Sequence, residues 1–108
     1  MIVKNRIFLL FIISFFPYII YSQSWTQYGD DINGEATEDY SGISISLSGD
    51  GQKIAIGSSK HGLSNKGHVR VFRLSGGISW VQEGGNIDGE AAADESGRTV
   101  SLNNDGTI

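Results

Sequence analysis

Oxygen donors recur on alternate residues at two places in the chain, Asp31-x-Asn33-x-Glu35 and, 55 residues further on, Asn86-x-Asp88-x-Glu90. That spacing could open a calcium loop. Calcium takes about six to eight oxygens, so three side chains form a partial set, and the same residue types equally make turn hydrogen bonds to nearby backbone N–H groups. His61 and His68 are the only imidazoles, and there is no cysteine. They carry no His-x-x-x-His spacing and no nucleophile-and-base set goes with them. They are read as solvated, His61 in a polar loop and His68 at the head of a strand. Asp39 and Asp94 each stand three residues before a glycine, Gly42 and Gly97. A catalytic carboxylate copied into every repeat is chemically implausible, whereas a loop-bracing hydrogen bond into a tight turn is ordinary. Trp25 and Trp80 could stack on sugars, but their place in the sequence period points to packing between repeats. Gly84-Gly85 lacks the lysine of a phosphate loop. No catalytic residue, cofactor or metal ligand is assigned from these patterns.

The elements that position these residues are duplicated. Residues 25–51 reappear as residues 80–106, with fourteen of 27 positions identical and no gap, among them Trp25/Trp80, Gly34/Gly89, Asp39/Asp94, Gly42/Gly97 and Asp50/Asp105. A constant shift of this size marks a repeat architecture, in which one unit buries its apolar surface only when a neighbour stacks on it. The second copy stops where the first continues into Ile54-Ala-Ile-Gly57. The chain is therefore read as about one and a half units of a longer array, with residues 23–79 as the first unit and its closing strand and residues 80–108 as the start of the second. Repeat folds need about three units for stability, so this piece is expected to be marginal by itself.

Within one period the pattern is that of strands and turns. Trp25-Thr-Gln-Tyr28 is short, aromatic and β-prone. Residues 30–42 form a polar loop. Ile43-Ser-Ile-Ser-Leu-Ser48 alternates strictly, with bulky side chains on one face and serines on the other. Asp50-Gly51 is a hairpin signal. Lys53-Ile-Ala-Ile-Gly57 is the next strand, again bulky against small. A Ser-, Asn- and Gly-rich loop then leads to His68-Val-Arg-Val-Phe-Arg-Leu74, with Val69 and Val71 on one side and His68 and Arg70 on the other. Ile78-Ser-Trp-Val-Gln82 matches the opening tryptophan strand. No helical period appears after residue 22. Glycine, at 15 of 108 residues, is about twice its usual share, which suits many tight turns.

Four short strands per unit imply an all-β fold and, more specifically, a fragment of a β-propeller with four-stranded antiparallel blades. The large-residue face of one blade would pack on the small-residue face of the next, and the first strand would complete the last blade, hiding sheet edges. The alternatives are an array of β-sandwiches or a solenoid. Asp39-Tyr-Ser-Gly-Ile-Ser-Ile-Ser-Leu47, Asp50-Gly51, Lys53-Ile-Ala-Ile-Gly-Ser58 and Gly67-His-Val-Arg-Val-Phe72 together resemble an FG-GAP repeat, the blade type of the integrin α head and of secreted bacterial repeat proteins. The resemblance runs from Trp25 to the end. It departs at Ser41-Gly42, where the family has Phe-Gly, and at Gly57-Ser58-Ser59, where it has Gly-Ala-Pro. The family's calcium loop is reduced here to Ser48-Gly-Asp-Gly51 with one carboxylate, which removes most of the case for that metal. Leu47 to Gly57 also resembles the core of a WD40 blade, without the closing Trp-Asp pair. Both resemblances imply a propeller.

Residues 1–22 are a different material. Lys4 and Arg6 precede an apolar run from Ile7 to Tyr21, and Ser22 follows. A basic start, a short apolar centre and a small residue at its end make a secretory signal peptide, expected to be helical and cleaved after Ser22. The run is shorter than the roughly 20 residues a spanning helix needs and carries Pro17; an uncleaved anchor is the alternative. Without Lys4 and Arg6 the remainder holds six basic side chains against 12 acidic ones. Such an acidic chain disfavours nucleic acid and anionic membrane, whose recognition needs clustered Lys and Arg. The absence of cysteine does not argue against export for a repeat protein.

The function expected from these readings is a non-enzymatic, exported binding or adhesion scaffold at or outside the cell surface. Its loops would take a protein or glycan ligand, and its nearest partners would be further repeats of the same chain. The residue 58–67 loop, which has no second copy in the chain, is the first candidate contact surface. The competing expectation is an accessory propeller of a larger secreted hydrolase, with the catalytic domain beyond Ile108.

Overall fold

The computed structural model describes residues 23–107. The leader expected over residues 1–22 lies outside the described residues. Five strands form one antiparallel sheet: β1 (Ser41–Leu47), β2 (Lys53–Ser58), β3 (His68–Ser75), β4 (Ser79–Gln82) and β5 (Ile87–Asp88). β1 to β4 lie side by side in chain order, and β4 and β5 share the second edge of β3. A single turn of 3₁₀ helix, Leu63–Asn65, interrupts the β2–β3 connection. The described protein is all-β.

Strand register decides what each face carries, because residues paired across a ladder point to the same side. One face holds Ser44, Ser46, Ala55, Gly57, Val69 and Val71, the small or short branched positions. The other holds Ile45, Leu47, Ile54, Ile56, Arg70 and Phe72, with Ser58 and His68 at its end. The strict alternation of residues 43–48 is what sorts them. Ala55, Ile56 and Phe72 are buried, while Ile45 and Leu47 remain largely exposed.

The two copies of the repeat cover opposite faces. On the small face lies the second copy's counterpart of β1: Val100 N–H donates to Ser44 Oγ at 2.8 Å and Leu102 N–H to Ser46 Oγ at 2.9 Å. Gly49 N–H donates to the carbonyl of Asn104, its own repeat counterpart, at 2.8 Å. Gly57 and Gly97 touch backbone to backbone, so that a Cβ on Gly57 would run into the Gly97 carbonyl. The bulky positions of the second copy thus sit on the small face of the first, and serine hydroxyls satisfy backbone donors that have no ladder partner. Across the other face runs the first copy's loop, anchored by Arg70 Nη2 donating to Asn33 O at 2.9 Å and to Ser41 Oγ at 3.1 Å.

The structure departs from the expected elements at three places. The Trp25 segment is not a strand, and Trp25 is fully exposed, whereas Trp80 is half-buried in β4. The surroundings of the two tryptophans are therefore unlike. β4 and β5 already occupy the free edge of β3, and residues 23–28 meet no other edge among the described residues. Conversely, residues 96–102 are not a strand beyond one parallel bridge between Gly67 and Ser96, because they lie on a sheet face and not along an edge. The loop expected after Trp80 gains a two-residue strand, β5, by pairing Ile87 with Val69 and Asp88 with His68.

Candidate functional site

The polar cluster grows out of the duplicated loop. Asp39 Oδ2 accepts from Ala36 N–H at 2.9 Å, and Asp94 Oδ2 accepts from Ala91 N–H at 2.8 Å. Both turns place the residues flanking the aspartate in left-handed backbone: Glu38 at φ 62° and Tyr40 at φ 58°, Ala93 at φ 63° and Glu95 at φ 49°. A left-handed non-glycine costs about 1–2 kcal/mol, and the carboxylate bond helps to hold it. Asp39 and Asp94 brace their loops. The copies differ in what lies on the carboxylate: Asp39 is buried and Asp94 exposed.

The group over Asp39 is His61. Its Nδ1 lies 2.8 Å from Asp39 Oδ2, and its Nε2 lies 4.0 Å from Glu35 Oε2. Its ring sits 3.9 Å, centroid to centroid, from that of His68, tilted by 33°. His68 is 0% exposed. Among the described residues neither of its nitrogens has a close partner: Nε2 has none, and Nδ1 has only Asn86 Nδ2 at 3.5 Å and Asp88 Oδ1 at 3.9 Å. Asn86 Nδ2 also donates to Glu35 Oε1 at 2.9 Å. Arg70 stands beside them, its Nε 3.9 Å from Glu35 Oε1 and its guanidinium 5.2 Å from the centre of the Phe72 ring.

Electrostatics follows from this packing. Burial raises the Asp39 pKa, but the His61 hydrogen bond, the Ala36 N–H and the charges of His61 and His68 outweigh it, leaving the carboxyl below its usual range. Burial, then the neighbouring His61 and Arg70, lowers the His68 pKa against the opposing pull of Glu35 and Asp39. Glu95, hydrogen-bonded to Lys60, is likewise held below its usual range and ties the second copy's loop to residue 60.

The expectation that both histidines are solvated is corrected here: His68 is buried and His61 half-buried. The alternation of β3 puts His68, Arg70 and Phe72 on the side that the first copy's loop covers. The oxygen triplets do not act as units. Asp31 Oδ1 accepts from Gln27 Nε2 at 2.8 Å and Asn33 uses its carbonyl on Arg70, whereas Glu35 turns to the histidines. In the second copy Asn86 and Asp88 approach His68, while Glu90 is exposed. Sequence spacing missed the cluster because its members come from three separate segments. The one available signal was the polar pair His68/Arg70 on the same side of β3 as Phe72.

No family model, curated protein or solved structure matches this chain.

Proposed function

We propose that the sheet is one blade of a β-propeller, that residues 80–107 begin the next blade, and that the chain is an exported, non-catalytic repeat scaffold binding a protein or glycan through its loops. The observation that carries this reading is the seating of residues 97–106 on the small face of the sheet, through Ser44, Ser46, Gly49 and Gly57. It is the bulky-on-small stacking by which blades follow one another in a ring. Val100 and Leu102 are the repeat counterparts of Ile45 and Leu47. Those two exposed side chains are then the surface offered to a further repeat of the same kind. The basic-apolar leader over residues 1–22 supports export. Residues 62–66, the exposed stretch of the 58–67 loop, form the first contact surface to test.

Expressing the full chain and sequencing the N-terminus of the exported product tests the export half, with Gln23 as the expected first residue. A product that stays inside the cell with residues 1–22 attached and no membrane association overturns it. Screening that product against extracellular proteins and glycans, with residues 62–66 replaced by Gly and Ser as control, tests the binding half. A ligand retained unchanged by the replaced loop removes that loop from the reading.

A further inference from the structure

We propose that Glu35, His61 and His68 form a binding site for one zinc-class divalent transition ion, with Asp39 as the residue that positions the His61 ring. One carboxylate oxygen of Glu35 and one ring nitrogen of each histidine lie within 4.8 Å of one another. They meet from three segments: the first copy's loop, the β2–β3 connection and the head of β3. Two imidazoles and a carboxylate make a three-ligand set that zinc accepts, leaving a fourth position for water or another donor.

The chemistry of the donors favours this ion over calcium. Calcium takes oxygen ligands in large number, while imidazole suits zinc, copper, nickel and iron. His61 is already arranged as a metal-bound histidine is. Its Nδ1 is engaged by a buried carboxylate at 2.8 Å, which leaves Nε2 toward Glu35; a ligating histidine almost always has its other nitrogen held by such a group. In the second copy Asp94 makes the same loop bond to Ala91 N–H while exposed to solvent. The imidazole contact of Asp39 is therefore something beyond loop bracing.

A second, independent observation points to a guest. Among the described residues, the buried side-chain polar atoms with no partner are Ser58 Oγ, His68 Nε2 and Arg70 Nε. All three belong to the same end of one sheet face, where Ser58 pairs with His68 across the β2–β3 ladder. Buried polar groups are otherwise satisfied, and leaving one unsatisfied costs about 1–3 kcal/mol. Arg70 opposes a cation here, but Glu35, Asp39 and Asp88 surround the histidines with three carboxylates. Tetrahedral zinc with bonds of about 2.1 Å holds its donors roughly 3.4 Å apart. Glu35, exposed on its loop and held by Asn86 Nδ2 at 2.9 Å, is the ligand that would exchange that bond to close the gap. The ion would pin the first copy's loop to the sheet between the two repeats.

The test uses the full chain with zinc, cobalt(II) and calcium in turn. Cobalt, which takes the same low-coordinate site and reports it by visible absorption, is expected to bind one ion per chain and to be displaced by zinc. Zinc is expected to shift the ring ¹⁵N resonances of His61 and His68 together and to raise the melting midpoint, while calcium does neither. Glu35→Gln and His61→Ala are expected to weaken zinc at least tenfold, and Asp39→Asn by about 10–100-fold. Glu35→Gln changes an exposed side chain, so it carries the test if the other variants do not fold. Absence of cobalt absorption, unmoved imidazole resonances or equal zinc affinity in Glu35→Gln overturns the site; water is then what fills it.

Discussion

The first and second copies of the repeat share one sequence pattern and only half of one structure. From Gly34 to Tyr40 and from Gly89 to Glu95 the backbone is the same: an aspartate accepting the N–H three residues back, flanked by two left-handed residues. The turns at residues 49–51 and 104–106 also correspond. Beyond them the copies part. Ser41–Leu47 pairs with β2 and is a strand, while residues 96–102 lie on the sheet's face and are not. Ser79–Gln82 pairs with β3, while residues 24–27 pair with no strand among the described residues. Loops carry their own hydrogen-bond partners in the sequence. Strands need an edge from elsewhere.

The sharpest way to break this comparison is at one glycine position seen in two environments. Gly42 and Gly97 have the same backbone, φ 86° and 87°. A Cβ at Gly42 would meet nothing within 4 Å, whereas at Gly97 it would meet the His68 carbonyl, Gly57 and Ser58. Gly42→Ala should cost only the left-handed penalty of about 1–2 kcal/mol. Gly97→Ala adds an overpacking penalty of about 1–3 kcal/mol and should expel residues 97–106 from the small face. Urea denaturation measures both, and equal losses would show that the second copy is not seated there.

A middle-sized effect separates the braces. With metal removed by a chelator, Asp39→Asn disturbs a buried carboxylate that holds both Ala36 N–H and His61, and should lose about 1–3 kcal/mol. Asp94→Asn disturbs an exposed one and should lose less than about 1 kcal/mol. The serines come next. Ser44→Ala and Ser46→Ala each remove one acceptor from Val100 or Leu102 N–H, about 1 kcal/mol apiece. Amide hydrogen exchange at Val100 and Leu102 should quicken in the matching variant alone. If both amides respond to either serine, the segment moves as a block.

These pairs also explain what could be read from the sequence. The strands over residues 41–82 were legible because alternation and Asp-Gly or Gly-Gly turns are local signals. Four antiparallel strands appear where the pattern puts them, with every bound within two residues of the expected one. The Asp39 and Asp94 braces were legible for the same reason: donor and acceptor lie three residues apart. Trp25 was not legible in this way, because identity with Trp80 does not supply a shared partner: pairing is a property of the edge and not of the residue. His68 was misread because a histidine opening a strand looks solvated until one knows that Glu35, 33 positions earlier, lies close to it. No spacing rule reaches that far.

The smallest expected effect concerns the two hairpin turns and acid. Asp50 Oδ1 accepts from Gln52 N–H at 2.9 Å and from Ser48 Oγ at 2.8 Å. Asp105 Oδ1 accepts from Thr107 Oγ1 at 2.8 Å and from Thr107 N–H at 3.1 Å. The same position thus caps the same turn with different neighbours. The Gln52 and Ser48 bonds lower the Asp50 pKa, and the two Thr107 bonds lower that of Asp105, each from an ordinary value of 3.8. A carboxyl whose folded pKa lies below its unfolded one stabilises the fold fully above the unfolded value, and that stability fades as pH falls through the folded value. Melting midpoints of the parent chain should therefore decline below about pH 4, and Asp50→Asn should flatten part of that decline without moving the rest. Because Asp50 sits where β1 turns into β2 and Asp105 where no strand has formed, Asp50→Asn should flatten the curve more than Asp105→Asn. The reverse order would mean that the turn of the second copy is as firmly held as that of the first.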